Sequence, residues 1–311
     1  MRVPATDPST TGRRQEDRAR VALGTRLSTS DSAGAPLSYD PDLERLEIEL
    51  LLEAIYRHYG FDFRSYAYAS IRRRLWRRIE AEGLTTVSSL QDRLLHEPAM
   101  MEKVLLDLSI NVTAMFRDPT FYLAFRQRVV PLLRTYPFIR IWHAGCSTGE
   151  EVYSMAILLE EEGLYERARI YATDINEVVV HRARAGIFPL ERMQEYTENY
   201  IRAGGARSFS EYYVAKYDGA LFSPALQRNV VFSQHNLVTD RSFAEFNVIL
   251  CRNVLIYFDR ALQTRVHGLF HESLVHLGIL CLGAKETLRL SKYESSYEEL
   301  SRDEKIYRKV R

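Results

Sequence analysis

The sequence predicts an α/β protein: a doubly wound, mostly parallel sheet, preceded by an all-helical domain and interrupted by a small inserted β-subdomain. Three observations carry this expectation. From Pro137 onward, strand-like and helix-like segments alternate, the pattern of repeated βαβ units. Residues 41 to about 115 show helical periodicity and no strand signal. Between about 186 and 228 the alternation breaks, and Asp218-Gly219 lies between apolar runs as a hairpin turn does.

The elements follow in order. Residues 1–39 are rich in Ser, Thr, Pro, Gly, Ala and Arg. Such a segment buries too little apolar surface to offset its ordering entropy, so it reads as a disordered tail. Asp40-Pro41 is a helix start, with proline at the first helical position. The amphipathic run 43–59 follows and Gly60 stops it. Further helices are expected over 65–82, ending at Gly83, then over 87–97 and, after Pro98, over 99–110. A helical domain thus spans 40–118 and the sheet domain 119–311. In the sheet domain, strands are expected at 138–146, 168–176, 229–237, 246–258, 278–286 and 305–310, with helices at 151–163, 177–186 and 260–276.

Composition narrows the class. Apolar residues make up 46% and charged residues 27%, as in globular proteins. A formal net charge of +1 gives no general case for nucleic acid. Cys146, Cys251 and Cys281 are odd in number and widely separated, which excludes a disulfide framework or a Cys-rich zinc site. No apolar run approaches the roughly 20 residues that cross a bilayer. The first residues lack an apolar stretch, and Asp7, Glu16, Asp17 and Asp31 argue against an organellar transit peptide. A cytoplasmic protein is expected.

The chemistry-bearing residues lie at the expected carboxyl ends of strands, where ligands of such sheets bind. The loop Gly145-Cys146-Ser147-Thr148-Gly149 follows the first strand and opens a helix. Its glycines let backbone approach a ligand closely, although a tight turn uses glycine for steric reasons alone. Asp174 closes the second strand, in position to accept hydrogen bonds from two ribose hydroxyls. Neither a G-x-G-x-x-G fingerprint nor a P-loop is present. Glu150 and Glu151 would repel a pyrophosphate but suit an ammonium, which favours S-adenosylmethionine over NAD or ATP. Asn236, after the third strand, can read an adenine edge. Arg252 interrupts the apolar fourth strand beside Cys251. The Asn/Asp-Pro-Pro-aromatic signature of base methylation is missing there, and no nucleophile–base constellation or metal cluster stands out. An acceptor carboxylate, ionised above a pKa of about 4.3, would need no general base.

Taken together, residues 111–118 (NVTAMFRD), 144–154 (AGCSTGEEVYS), 172–176 (ATDIN), 236–237 (NL) and 251–258 (CRNVLIYF) resemble the CheR-like protein-glutamate O-methyltransferases, which modify chemotaxis receptors. The resemblance spans about 41–311. It implies a class I (Rossmann-like) methyltransferase sheet, S-adenosylmethionine as cofactor with no metal, and an acidic helical region of a receptor or related signalling protein as partner. No nucleic acid and no membrane insertion are implied. By motif match, Asn111, Thr113, Arg117, Glu151, Asp174, Asn236, Leu237, Cys251 and Arg252 would contact the cofactor. Arg117 and Tyr257 would lie nearest the transferred methyl. Two departures stand out. Met115-Phe116 replaces a pair of phenylalanines, and Gly283-Ala284-Lys285-Glu286 replaces Gly-His-Ser-Glu. Neither is expected to touch the cofactor motifs.

Five arginines crowd into 72–78. Spacings of three and four place Arg74, Arg77 and Arg78 along one side, a candidate docking face for an acidic helix. A solvated basic face or a nucleic-acid patch fits the same pattern. RNA or DNA methylation and a non-catalytic cofactor-binding module therefore remain the alternatives.

Overall fold

A computed structural model describes residues 40–109 and 113–311. The tail expected over 1–39 and the cofactor contact expected of Asn111 both lie outside the described residues. Residues Asp42–Arg311 form one compact unit.

The helices fall close to where periodicity puts them: α1 (Pro41–Tyr59), α2 (Tyr68–Ala81), α3 (Val87–His96) and α4 (Pro98–Leu108). Left-handed Gly60 and Gly83 end the first two. Thr86 and Ser89 form a reciprocal capping box at the start of α3. Ile48, Leu51 and Ile55 of α1 meet Ile71, Leu75 and Ile79 of α2 in a shared apolar core. Helix α2 starts three residues later than expected, because 65–67 is used otherwise. Tyr66 bridges Phe258, Ala67 N donates to Tyr257 O (2.8 Å) and Asp259 N donates to Ser65 O (3.0 Å). These bonds seat the helical part on the segment that follows the fourth strand of the main sheet.

After the short helix α5 (Pro119–Ala124), a π-helical turn over Phe125–Val129 leads into α6 (Val130–Leu133). The chain then alternates β1 (Ile139–Ala144), α7 (Glu150–Glu161), β2 (Ala168–Asp174) and α8 (Glu177–Ala185). Strands β3 (Ile187–Pro189), β4 (Tyr213–Lys216) and β5 (Gly219–Phe222) form the insertion, with α9 (Met193–Arg202) between β3 and β4. The remaining elements are β6 (Val230–Gln234), β7 (Phe246–Cys251), α10 (Arg260–Ser273), β8 (Leu274–Leu282), β9 (Tyr297–Ser301) and β10 (Ile306–Lys309). The seven-stranded sheet runs β6-β2-β1-β7-β8-β10-β9. Its first five strands are mutually parallel, and β10 is antiparallel to both neighbours. Strand order reverses between β1 and β7, which opens a crevice at their carboxyl ends.

Two details differ from expectation. Strand β8 begins at Leu274, where the preceding helix was expected to continue through His276; Leu277 turns left-handed (φ 61°) and the pairing with β7 shifts register there. Strand β9 was missed, because its sequence YEELS is polar and lies on a sheet edge. The insertion is the expected β-subdomain, a three-stranded sheet ordered β3-β5-β4 in which β4 and β5 form a hairpin around Tyr217-Asp218. Phe209, Tyr212 and Phe222 pack in the same core as Met155 and Leu158 of α7. Glu161 accepts hydrogen bonds from Tyr200, Tyr212 and Ala206 N and pairs with Arg126. Among the described residues, no helix is long and apolar enough to cross a membrane.

Candidate active site

The crevice at the ends of β1, β2, β6 and β7 holds a cavity of about 970 Å³, open to solvent on one side. Its floor is the turn from β1 to α7. Gly145 (φ 84°) lies so close to Val254 that a Cβ there would stand 2.5 Å from the valine side chain. Gly145 N and Cys146 N both donate to Thr173 O at 2.8 Å, which ties the turn to β2. Asp174 then fixes it further: Oδ2 accepts from Ser147 N (2.9 Å) and Oδ1 from Asn176 N (3.0 Å). Ile175 is a further backbone donor to this carboxylate, which lines the cavity. Burial pushes this carboxyl above its ordinary pKa.

The acids of the turn divide. Glu151 lines the cavity; its Oε1 meets His143 Nδ1 (2.9 Å) and its Oε2 meets Arg252 Nη1 (3.0 Å). Burial pushes Glu151 up, but the His143 and Arg252 contacts outweigh it and hold the carboxyl low. Glu150, expected to face an ammonium as well, does not. It is buried under the turn, bonded to Thr148 Oγ1 (2.7 Å) and Tyr196 OH (3.4 Å).

Cys251 needs the same correction. It is fully buried and does not line the cavity. Strand β7 ends at Cys251, and the residues that reach the cavity are the three that follow it, Arg252, Asn253 and Val254. Arg252 is itself committed. Beyond Glu151 it pairs with Asp118 (2.8 Å), donates to Arg117 O (3.2 Å) and lies 4.0 Å from the centre of the Phe121 ring. Thr113, Asn236 and Leu237 line the cavity. The Asn236 Oδ1 accepts from Val238 N (2.9 Å), which leaves the amide NH₂ as its ligand-facing group.

Arg117 and Tyr257 line this cavity and also a second, larger groove. Arg117 is held between two left-handed residues, Phe116 (φ 49°) and Asp118 (φ 58°). Such strain persists only where the surroundings over-determine it. Here Phe116 N donates to Ser154 Oγ (2.8 Å), and the Phe116 ring packs against Tyr122 and Tyr200. The groove is lined by Arg72, Arg73, Arg74 and Arg77, and among the described residues Glu80 and Asp107 are the acids that line it with them.

The arginines of α2 are not one solvated face. Arg74 is 4% exposed, donates to Leu108 O (2.6 Å) and lies 4.9 Å from the Tyr257 ring centre. Burial pulls its pKa down to about 10, with Arg73 and Arg77 adding to the fall. Arg78, expected to dock a partner, instead binds Asp107 (2.6 Å) and Glu82 (3.0 Å) and lines neither cavity. Arg77 does face the groove, joined there by Arg72 and Arg73, which were not singled out for docking.

Two residues were missed. Tyr66, from the helical part, lines the cofactor cavity, and the nearby Asp174 charge helps burial raise its phenol pKa. Glu286, the glutamate that this turn keeps, accepts from Asn253 N (3.0 Å) and Leu255 N (2.7 Å), while the departing residues Ala284 and Lys285 do not line the cavity.

The donor set suits S-adenosylmethionine: two carboxylates for ribose hydroxyls and an ammonium, and an apolar slot at Leu237, Val238 and Val254 for a base. Among the described residues, no cluster of His, Cys, Asp or Glu is placed to hold a metal.

Comparison with known proteins agrees. Residues 111–305 match the CheR methyltransferase SAM-binding domain, and residues 46–109 match the CheR methyltransferase all-alpha domain. The chain is 54% identical over 264 residues to a Pseudomonas putida protein named as methyltransferase Cher3, covering 85% of this chain and 97% of that one. It is 32% identical over 231 residues to chemotaxis protein methyltransferase 2 of Pseudomonas aeruginosa (71% and 79% covered). It is 28% identical over 250 residues to a Listeria innocua chemotaxis protein methyltransferase (80% and 92% covered).

Proposed function

The chain belongs to the CheR methyltransferase family and uses S-adenosylmethionine, and from that premise we propose that it methylates glutamate side chains on an acidic helical region of a chemoreceptor or related signalling protein. The products are the glutamate 5-O-methyl ester and S-adenosylhomocysteine. One observation carries this reading: Arg117 and Tyr257 form the shared wall between a carboxylate-lined cavity and an arginine-lined groove.

The bound cofactor supplies an electrophilic methyl on a sulfonium. Asp174 would hold its ribose hydroxyls, Glu151 its ammonium, and Asn236 with Leu237 its adenine. The acceptor glutamate is ionised at neutral pH and needs no base. What it needs is orientation and a site that tolerates its charge while water leaves. Arg117 provides a planar fork for one carboxylate. Burial raises the Tyr257 phenol pKa, so at neutral pH Tyr257 keeps its O–H as a donor. Arg73 and Arg77, exposed along the groove, attract an acidic helix.

The test is methyl transfer from labelled cofactor to a chemoreceptor cytoplasmic fragment. Label released as methanol by mild base identifies carboxyl methyl esters and supports the reading. Base-stable label, or label on nucleic acid, overturns it.

A further inference from the structure

Glu286 lies in the turn after β8, and its carboxylate is buried. The two oxygens divide four backbone donors between them. Oε2 accepts from Gly283 N (2.6 Å) and Asn253 N (3.0 Å), and Oε1 accepts from Leu255 N (2.7 Å) and Ile256 N (3.3 Å). It makes no ion pair among the described residues; burial raises its pKa, and the four backbone donors work against that rise. A buried carboxylate satisfied in this way is a strong, directional anchor.

Three of those donors belong to the segment between β7 and α10. Asn253 and Val254 of that segment line the cofactor cavity, and Tyr257 lines both cavity and groove. The segment does not run regularly: Asn253 is left-handed (φ 62°). Its far end is fastened to the helical part by Ala67 N to Tyr257 O and by the Tyr66 ring, centred 4.9 Å from that of Phe258. Gly283 is needed for the near end to close. A Cβ there would stand 2.7 Å from Asn253 N and 2.8 Å from Glu286 Oε2.

We propose that Glu286 is a positioning residue for methyl transfer: its bonds to the 253–256 backbone hold Tyr257 at the wall between the cofactor cavity and the basic groove. The inference rests on the role proposed above for Tyr257. It is specific about atoms. Glutamine has the shape of glutamate, but its NH₂ would face two N–H donors whichever way the amide turned. Aspartate keeps the charge on a shorter arm and serves one pair of donors at a time.

The experiment compares Glu286→Gln, Glu286→Asp, Tyr257→Phe and the Gln/Phe double variant in the full chain. Three quantities are read: backbone amide proton shifts of Asn253, Leu255 and Ile256; S-adenosylhomocysteine affinity; and methyl transfer to a helical peptide with glutamates on an acidic face. The expected result is that Glu286→Gln shifts those amides and lowers kcat by roughly 10- to 100-fold, the scale for a misplaced positioning group. S-adenosylhomocysteine affinity and the peptide KM change far less. Glu286→Asp, which retains the charge if the glutamine variant fails to fold, falls between. In the Tyr257→Phe background, Glu286→Gln is expected to add little, because both changes remove the same placement. Unmoved amides, or a normal rate for Glu286→Gln beside a slow Tyr257→Phe, overturns the inference and leaves the proposed reaction intact. Fully additive losses also overturn it, since Glu286 would then act by another route. A Tyr257→Phe protein with wild-type rate removes the role of Tyr257, and the inference with it.

Discussion

Replacing Asp174 with asparagine is expected to weaken S-adenosylhomocysteine binding by about two orders of magnitude, and the structure sets that scale. Asp174 accepts backbone N–H bonds from Ser147 on one oxygen and from Asn176 on the other, with Ile175 a further backbone donor. The carboxylate lines the cavity, where two ribose hydroxyls would find their acceptor. Asparagine keeps the shape but turns one acceptor into a donor. That NH₂ would oppose either Ser147 N or Asn176 N, and one ribose hydroxyl would lose its acceptor. Hydrogen bonds to a charged group contribute about 1.5–3 kcal/mol each. Loss of one and weakening of the other comes to about 3 kcal/mol, or about 100-fold in affinity. Calorimetric titration of the two proteins with S-adenosylhomocysteine measures this directly, with a melting curve to show that both are folded. The pH dependence gives a second arm. Burial raises the Asp174 pKa, so in the wild type the acceptor is lost as pH falls through a value above the usual carboxylate range, and affinity falls with it. The asparagine variant lacks that limb. Equal affinities at neutral pH would remove Asp174 from the cofactor site and refute the reasoning.

Three further outcomes are expected. Arg117→Lys keeps a cation but loses the planar fork, so kcat should drop by roughly 100-fold for a misaligned acceptor with S-adenosylhomocysteine affinity retained; a near wild-type rate would show that Arg117 supplies charge and not geometry. Reversing Arg73 and Arg77 to Glu should raise KM for an acidic helical acceptor by about ten-fold at low salt, a gap that narrows as salt screens the groove; Arg78→Glu should instead lower thermal stability through Asp107 and Glu82, and a KM effect confined to Arg78 would reverse this assignment. His267 is buried with no hydrogen-bond partner on either ring nitrogen among the described residues, and burial lowers its pKa to about 4. The folded state thus favours neutral imidazole: its contribution is present above about pH 6.5 and is lost as pH falls toward 4, up to about 3 kcal/mol. Denaturant midpoints for wild type and His267→Leu at several pH values should diverge in slope across that window; parallel slopes would contradict it.

The sequence made some of this architecture legible and hid the rest for physical reasons. Strands β1, β2 and β7 are buried along most of their length, so they read as mainly apolar runs despite Arg140, Arg169 and Asn247. The polar edge strand β9 carries no such signal. In α2 the core residues Ile71, Leu75 and Ile79 recur every four positions. That stripe was enough to predict that Arg74 and Arg78 flank the buried side while Arg73 and Arg77 face outward, but charge density alone grouped Arg74, Arg77 and Arg78 together. Cys251 is the last residue of β7 and packs in the apolar core, while Arg252 lies just beyond the strand and reaches the cavity, a difference that adjacency in sequence does not reveal. Glu286 was invisible for another reason: it acts on backbone atoms about thirty residues away, and a contact with N–H groups leaves no side-chain pattern at the partner positions.

The arrangement around Arg252 shows how the two sites are held in register. A guanidinium this deeply buried, paired with Glu151 and Asp118, is weak evidence of stability, because desolvation consumes much of the attraction. Its geometry is more telling than its energy. One arm meets Glu151, which lines the cofactor cavity. The other meets Asp118 and the carbonyl of Arg117, the residue that borders both cavity and groove. Asp118 and Phe116 are left-handed, and the Arg252 contacts are among the few that fix this strained turn from the sheet side. An apolar residue of equal volume would pack in the same space, yet it would leave Glu151 without its cation and Arg117 without its carbonyl anchor. The cluster is therefore better understood as a ruler between cofactor and acceptor than as a staple of the fold. Glu286 does the same for Tyr257, so Arg117 and Tyr257, two of the residues that line both cavity and groove, are each set by a buried charge that need not touch the acceptor.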